Sequence, residues 1–196
     1  MTEKILIKKI VIFCLVITLS GCATKSETKA LPTGAVLAYE IGDTGPAGGK
    51  IFITPATSGN STGKYFEAAP ADFATELIWC SDITNLLGAS GTTIGTGALN
   101  TSNMLLTCTS GAAFSADGYA TTNNSETYSD WFLPSKAELD QLYLNKKAIG
   151  GFTNSSYWSS SEDSASGAWC QYFRLSLQYD DVKEGLNYLR PVRAFS

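Results

Sequence analysis

Histidine is absent from the 196 residues of this sequence. That absence excludes Ser-His-Asp and Cys-His catalytic arrangements, histidine-ligated zinc or haem, and a histidine pH switch. Charged residues are also scarce, at 16% of the chain, against about a quarter in an average globular protein. Glycine, serine, threonine and asparagine are abundant instead, which favours a strand- and loop-rich extracellular domain. The length suffices for one domain with a sizeable core and, at most, a short tether.

The first 21 residues have the features of a signal peptide. A start with three lysines precedes an apolar run over residues 10–19, which is too short to span a bilayer as a stable helix. The run ends in Leu19-Ser20-Gly21-Cys22, which resembles the bacterial lipobox and implies that Cys22 is lipidated and becomes the new amino terminus. The alternative is an ordinary secretory signal followed by an incidental cysteine.

The processed chain is predicted to be an acidic, membrane-anchored protein. Residues 22–33 have no apolar period and predict a flexible, lipidated tether, and residues 34–196 are predicted to form the globular domain. Removal of residues 1–21 takes away three of the 14 basic and one of the 18 acidic residues, so the net charge becomes −6. An acidic surface without a basic stripe indicates that nucleic acid is not a partner. Because Ala23 follows Cys22 where sorting rules require aspartate for retention, we expect a surface-exposed, lipid-anchored protein of the bacterial outer membrane.

The strongest helix signal follows Ser135. Ser135 and Glu138 have the spacing of a capping box. Leu139 and Leu142 then continue an apolar stripe, and the glycine pair that begins at Gly150 stops the helix. A helix is therefore predicted between these two signals.

The remaining local signals are weaker and consist mostly of short strands. A second helix is predicted over residues 98–106, with Leu99, Asn103 and Leu106 on one side. The glycine-rich run 42–50 lacks the phosphate-loop spacing and predicts a tight turn into an edge strand. Strands separated by Gly, Asn and Ser turns are predicted at 36–40, 49–54, 64–68, 169–175 and 188–195. Together these elements predict an α+β domain with about two helices, small twisted antiparallel sheets and many loops.

Four cysteines remain after processing of the signal peptide. With Cys22 assigned to the lipid, Cys80 and Cys108 are the natural disulfide pair in an oxidising compartment. Two buried free thiols are the alternative. Cys170 is then left as an odd cysteine.

Three motifs near the carboxyl terminus occur in a distinctive order. They are Asp130-Trp131-Phe132-Leu133-Pro134-Ser135, Tyr157-Trp158-Ser159-Ser160-Ser161-Glu162 and Arg190-Pro191-Val192-Arg193-Ala194-Phe195. This order resembles a bacterial C-type-lectin-like domain family of the formylglycine-generating-enzyme subtype, and within it the surface lipoproteins that diversity-generating retroelements diversify. Residues 42–49 and 67–70 resemble the amino-terminal half of the same proteins, so the resemblance covers about residues 39–196.

The resemblance implies a C-type-lectin-like fold whose small twisted sheet carries a ligand-binding face, within a variable region of about residues 157–190. Adenine mutagenesis would turn asparagine codons into many other codons, but not readily into those of Trp, Gln, Lys, Glu or Met. Gln171, Gln178, Lys183 and Glu184 would therefore be fixed positions. The implied ligand is an unknown protein or glycan on another cell, a phage or a host surface.

The strand predicted over residues 169–175 gives an independent expectation from its period of two. It would place Trp169, Gln171, Phe173 and Leu175 on a core face, and Cys170, Tyr172 and Arg174 on an outward face. A thiol, a phenol and a guanidinium together suit a contact surface, although an ordinary solvated hairpin is the alternative. The predicted ligand-binding face, which also takes in Leu175 at the strand end, comprises Asp163, Ser164, Ser166, Cys170, Tyr172, Arg174, Leu175, Leu177, Tyr179, Asp180, Asp181, Val182, Leu186, Asn187 and Tyr188.

Large aromatic and basic side chains in the motifs are predicted to hold the scaffold together. Trp131, Trp158 and Trp169 are interpreted as buried core anchors rather than as a platform for sugar stacking. The two arginines of the last motif are expected to snorkel or to pair with acids such as Asp130 or Glu162.

Three classes of function follow. The first is a ligand-binding protein with a diversified face, the second is a fixed adhesin or envelope module of the same fold, and the third is an enzyme like the oxidase that shares the fold. Catalysis is not expected, because Cys80 and Cys108 do not match a reactive cysteine pair near the chain end. The Glu-Pro-Asn and Gln-Pro-Asp triplets of calcium-dependent lectins are absent. We therefore expect calcium-independent binding and no metal or other cofactor.

Overall fold

The computed structural model describes residues 38–196. The predicted signal peptide, the lipidation of Cys22 and the tether over residues 22–33 lie outside the described residues. The strand predicted at 36–40 lies partly outside them, and residues 38–40 are not in a strand. Among the described residues no helix is long and apolar enough to cross a membrane.

The described residues form eight strands and four helices. In chain order they are β1 (Lys50–Ile53), β2 (Tyr65–Ala68), α1 (Gly97–Met104), α2 (Ala112–Asp117), β3 (Thr121–Asn123), β4 (Glu126–Tyr128), α3 (Lys136–Leu144), α4 (Lys146–Ile149), β5 (Ser156–Glu162), β6 (Gly167–Tyr172), β7 (Leu177–Val182) and β8 (Val192–Phe195).

The strands pair into three small antiparallel sheets. Their orders are β1-β2-β8, β3-β4 and β5-β6-β7. In the first sheet β8 pairs along the whole of β2, so the carboxyl-terminal strand completes a sheet that the amino-terminal half begins. The predicted α+β class with small antiparallel sheets is confirmed, and β1 is the edge strand expected after the glycine-rich run.

The capping box at the start of α3 is confirmed. The Ser135 hydroxyl accepts a hydrogen bond from the Glu138 backbone N–H at 3.3 Å, and the Glu138 carboxylate accepts one from the Ser135 N–H at 2.8 Å. The helix ends at Leu144, and the separate short helix α4 occupies the space before Gly150. Helices α2 and α4 were not predicted, because six and four residues are too few to show a helical period.

Helix α1 confirms the second predicted helix but buries a different side. Leu99 and Leu106 are 63% and 83% exposed. The buried side carries Gly97, Asn100, Thr101 and Met104 instead, and the Asn100 amide donates to the Gly91 carbonyl oxygen at 2.6 Å. The expected apolar stripe was wrong, because the helix packs through close backbone approach and hydrogen bonds rather than through leucines.

Buried side chains form three clusters. The largest surrounds Trp79 and Trp158 and contains the disulfide between Cys80 and Cys108, which confirms the predicted pair. The second packs the first sheet against α3, and the third buries Trp131. Helix α3 contacts β1 on one side and β5 and β6 on another, so it links the first sheet to the third.

The two motif arginines are held by acids. Arg193 donates to Asp130 at 2.7 Å and to the buried Glu67 at 2.7 Å, so the predicted partner Asp130 is confirmed. Arg190 is fully buried and pairs with Asp72 at 2.7 Å. The pairs of Arg190 with Asp72 and of Arg193 with Glu67 join residues 118 and 126 positions apart and hold the carboxyl-terminal segment against the amino-terminal half.

Candidate ligand-binding surface

The β5-β6-β7 sheet contains most of the predicted variable region. Across β6 and β7, Trp169 lies opposite Asp180, Cys170 opposite Tyr179, and Gln171 opposite Gln178. Residues that pair directly in an antiparallel sheet point to the same face. One face of this sheet therefore carries Trp169 and the two glutamines, and the other carries Cys170.

The predicted assignment of faces is correct for Gln171 and Phe173, which are buried, and for Arg174, which is exposed, but it is wrong for Cys170 and Leu175. Cys170 is only 1% exposed and packs in the largest core cluster with Trp158, so it cannot contact a ligand at the surface. Its thiol donates to the Tyr179 carbonyl oxygen at 3.4 Å, and burial raises the pKa of the thiol to about 12. The alternation holds as far as Tyr172, where β6 ends; residues 173–175, predicted to continue the strand, lie in the turn. The prediction placed the larger side chains of this strand on the core face. The core beside Trp158 instead has room only for a small side chain, which Cys170 provides.

Trp169 also differs from its predicted place. Trp131 and Trp158 are 2% and 0% exposed and are core anchors as expected, but Trp169 is only half-buried. Its indole lines an open cavity of about 370 Å³ between α3 and the sheet. The residues around this cavity are Thr92, Lys136, Ala137, Asp140, Trp169 and Gln178.

The charged groups in this cavity come from α3. The Lys136 ammonium lies 2.9 Å from the centre of the Trp169 ring. Partial burial lowers the pKa of Lys136, and the negative charge of Asp163 opposes that shift. Asp140 accepts a hydrogen bond from the Gln171 amide at 3.0 Å. The sequence did not predict this site, because the helix and the tryptophan are far apart along the chain.

The turn between β6 and β7 presents a cluster of exposed side chains. Phe173 is buried, whereas Arg174, Leu175 and Leu177 are exposed, with Leu175 at 67% and Leu177 at 54%. The predicted face residues that are exposed are Asp163, Ser164, Ser166, Arg174, Leu175, Leu177, Asp180, Val182 and Leu186. Tyr172, Tyr179, Asp181 and Tyr188 are half-buried.

Some predicted face residues serve the scaffold instead. Asn187 is 5% exposed, and its amide donates to the Asp181 carboxylate at 3.0 Å, so its assignment to the outer surface is corrected. The Tyr179 and Ser156 hydroxyls lie 2.8 Å apart, and burial raises the pKa of Tyr179 to about 12. The Tyr188 ring packs beside a buried tyrosine of β5.

Three of the four positions expected to be fixed hold the sheet together. Gln171 and Lys183 are fully buried. The Gln178 amide donates to the Lys136 carbonyl oxygen at 2.9 Å and to Gln171 at 3.2 Å. Lys183 pairs with Glu162 at 2.6 Å, so Glu162 is not a partner of the motif arginines. Glu184 is exposed and borders a smaller cavity of about 170 Å³.

Within residues 38–196 no group of three or more Cys, Asp or Glu side chains is arranged to hold a metal ion. The domain therefore presents two candidate binding features on the third sheet, which are the exposed hairpin and the adjoining polar cavity.

Residues 69–193, about two thirds of the chain, match the family described as the Lcl C-terminal domain. The chain belongs to this family, and the match supports the relation to variable surface proteins that the motif order indicated. A comparison with curated proteins found no match.

Proposed function

We propose that this chain is a surface-displayed, lipid-anchored ligand-binding protein whose β5-β6-β7 sheet carries a contact surface diversified by a retroelement. Its ligand is a protein or glycan on another cell, a phage or a host surface. The protein binds rather than catalyses. The lipid on Cys22 anchors it to the outer membrane.

One observation carries this proposal: the scaffold and the exposed surface use different residues. Among the described residues, the exposed members of the predicted face make no side-chain hydrogen bond that the fold needs. Three of the four residues that the mutagenesis would leave fixed, Gln171, Gln178 and Lys183, bond the sheet region to α3 and β5, whereas the fourth, Glu184, is exposed. Side chains at the turn can therefore change without loss of the sheet.

The exposed turn has the chemistry of a contact surface. Arg174 offers a planar set of donors, and Leu175 and Leu177 offer apolar area beside it. Tyr172 adds a half-buried ring at the end of β6. Arginine and tyrosine are enriched among residues that dominate binding energy, and a rigid hairpin lowers the entropy cost of presenting them.

Binding is tested with glycan and protein arrays screened with the purified protein. A triple variant, Arg174→Ala with Leu175→Ala and Leu177→Ala, should lose at least about tenfold in affinity for any array ligand, because several anchors are removed together. The matched control is Leu99→Ala with Leu106→Ala, which removes equally exposed leucines from α1 and its end. Unchanged binding by the triple variant would place the contact surface elsewhere.

Diversification is tested separately in the gene. An adenine-biased near-duplicate of the 3′ end next to a reverse transcriptase gene supports it. Absence of both, together with identical residues at 172, 174, 175 and 177 in sister strains, would favour the fixed adhesin or envelope module. That result would reject diversification but would leave the proposal that the hairpin binds a ligand unaffected.

A further inference from the structure

We propose that the cavity between α3 and the β5-β6-β7 sheet binds one residue of a neutral saccharide, as a site separate from the exposed hairpin. The cavity contains Lys136, Asp140, Trp169 and Gln178, and its volume of about 370 Å³ falls within the range of small-ligand sites, about 300–1,000 Å³. The arrangement of donors and acceptors in the cavity identifies the class of ligand.

Lys136 and Asp140 are four residues apart on α3 and project from the same side of the helix. Opposite charges at this spacing commonly pair, but here the ammonium lies over the Trp169 ring and the carboxylate is held by Gln171. Gln171 is fully buried and is itself bonded by Gln178. The fold thus holds one positive and one negative group apart in the same cavity.

Several polar atoms in the cavity have no partner among the described residues. The Lys136 ammonium makes no hydrogen bond or ion pair within residues 38–196. The Gln178 amide nitrogen uses its donors on the Lys136 carbonyl and on Gln171, which leaves its side-chain carbonyl oxygen as an acceptor. Asp140 receives one hydrogen bond through Oδ1, so Oδ2 is a second acceptor.

Free donors and free acceptors side by side suit hydroxyl groups, because each hydroxyl both donates and accepts. One hydroxyl oxygen accepts from the Lys136 ammonium while a neighbouring hydroxyl donates to Asp140 or Gln178. A simple carboxylate ligand would be repelled by the negative charge of Asp140, and a simple cationic ligand would be repelled by the positive charge of Lys136. The cavity has no net charge from its lining side chains, which matches a neutral polyhydroxylated ligand.

An apolar surface completes the site. The half-buried indole of Trp169 and the Ala137 side chain border the same cavity as the polar groups. The Lys136 ammonium covers the centre of one face of the indole, so the C–H groups of a pyranose ring would bury apolar area against Ala137 and the part of the indole that the ammonium leaves open, while the hydroxyls reach the polar atoms. The ring of Trp169 also fixes the ammonium in place, so the donor is pre-positioned.

The pocket also explains a pattern in the proposed variable region, and this step rests on the proposed function. Trp169, Gln171 and Gln178 cannot readily arise from asparagine template codons. Lys136 and Asp140 lie before the region of about residues 157–190. The saccharide pocket would therefore stay constant while the neighbouring hairpin changes.

The test is saturation-transfer NMR on the purified protein, followed by a tryptophan fluorescence titration. The neutral probes are methyl glycosides of glucose, galactose and mannose, and the charged probes are the anion acetate, the cation choline and alanine, a zwitterion that carries both charges. We expect millimolar binding of at least one neutral glycoside and of none of the charged probes. Lys136→Met and Asp140→Asn keep side-chain size and should each weaken that binding about tenfold, because each removes a hydrogen bond to a charged group.

The controls separate this pocket from the exposed hairpin. Leu99→Ala with Leu106→Ala, at exposed positions outside the pocket and the hairpin, should leave glycoside binding unchanged, and thermal unfolding verifies that each pocket variant is folded. Failure of all neutral glycosides, binding of only a charged probe, or wild-type affinity in both pocket variants would overturn the proposal. Loss of array binding in the hairpin variant together with absent glycoside binding would reject the pocket alone. Glycoside binding without any hairpin effect would reject the hairpin surface alone.

Discussion

Lys183 and Glu162 form an ion pair inside the third sheet, with 0% and 3% of their side chains exposed and 2.6 Å between Nζ and Oε1. The ammonium also donates to the carbonyl oxygens of Asn85 and Ala165, each at 2.8 Å. Glu162 ends β5 and Lys183 follows β7 directly. The pair therefore joins the two outer strands of the sheet that carries the proposed contact surface.

Lys183→Met should destabilise the protein by about 3–5 kcal/mol, because it leaves the Glu162 carboxylate buried without its partner. Urea denaturation measures the free energy of unfolding. The double variant Lys183→Met with Glu162→Gln should recover part of the loss, since the remaining amide is neutral. A loss below about 1 kcal/mol would mean that the pair behaves like a surface ion pair.

Glu138 predicts a stability that depends on pH. The carboxylate is fully buried, and burial raises the pKa of Glu138 from 4.5 to about 7, against the opposing effect of hydrogen bonds from backbone N–H groups. The folded state therefore holds this proton more tightly than the unfolded state, and stability is lost as pH rises from about 4.5 to about 7. The loss is about 3 kcal/mol.

Glu138→Gln isolates this contribution. The variant keeps the side-chain size and one acceptor but cannot ionise, so its free energy of unfolding should lack the decline between pH 4.5 and 7. Parallel urea denaturation of both proteins across this range gives the difference. Identical pH profiles would contradict the raised pKa of Glu138.

Reduction of the disulfide should weaken the domain. Cys80 and Cys108 are 28 residues apart, and closing such a span stabilises by about 3 kcal/mol in the chain-entropy account. Denaturation midpoints with and without dithiothreitol measure the effect. A Cys80→Ala, Cys108→Ala variant should unfold at the midpoint of the reduced protein and show no further response to the reductant.

Cys170 should resist alkylation in the folded protein. The thiol is 1% exposed, and its pKa is raised to about 12 by burial, so little thiolate forms at neutral pH. Mass spectrometry after iodoacetamide treatment should detect modification only in denaturant. Leu175→Cys, at a position that is 67% exposed, serves as the reactive comparison. Rapid labelling of Cys170 in the folded protein would contradict its burial and would show that the thiol is accessible at the surface.

Calcium should not stabilise the protein. The acidic residues of β7 and the turn after it do not form a cluster able to hold a metal within residues 38–196. Thermal unfolding with millimolar calcium and with EDTA should give the same midpoint. A rise of several degrees that EDTA reverses would show a ligated ion.

Sequence periodicity was enough for the elements with local signals. The capping box of Ser135 and Glu138 located α3, because both partners lie within one helical turn. The period of two located β6, but it could not say which face is buried. That depends on Trp158, which pairs with Cys170 from the neighbouring strand β5 and packs in the same core cluster. The sequence of β6 alone does not show this neighbour.

The cavity was beyond the reach of local patterns for a related reason. Lys136 and Asp140 are visible as neighbours on a predicted helix, but their approach to Trp169 depends on how α3 packs against β6. Strands β5 and β7 were likewise not predicted. Their serines and aspartates have low strand propensity, and pairing with β6 on both sides overrides it.

The pairing of β8 with β2 also means that the domain can fold only when the chain is complete to its last strand. Any stop codon before residue 192 removes β8 and Arg193 and leaves the buried Glu67 without its positive partner. Such a chain exposes the edge of β2 and becomes a substrate for proteolysis. A chain that is truncated before β8 thus fails at the folding step, because only a full-length chain completes the first sheet and pairs Glu67.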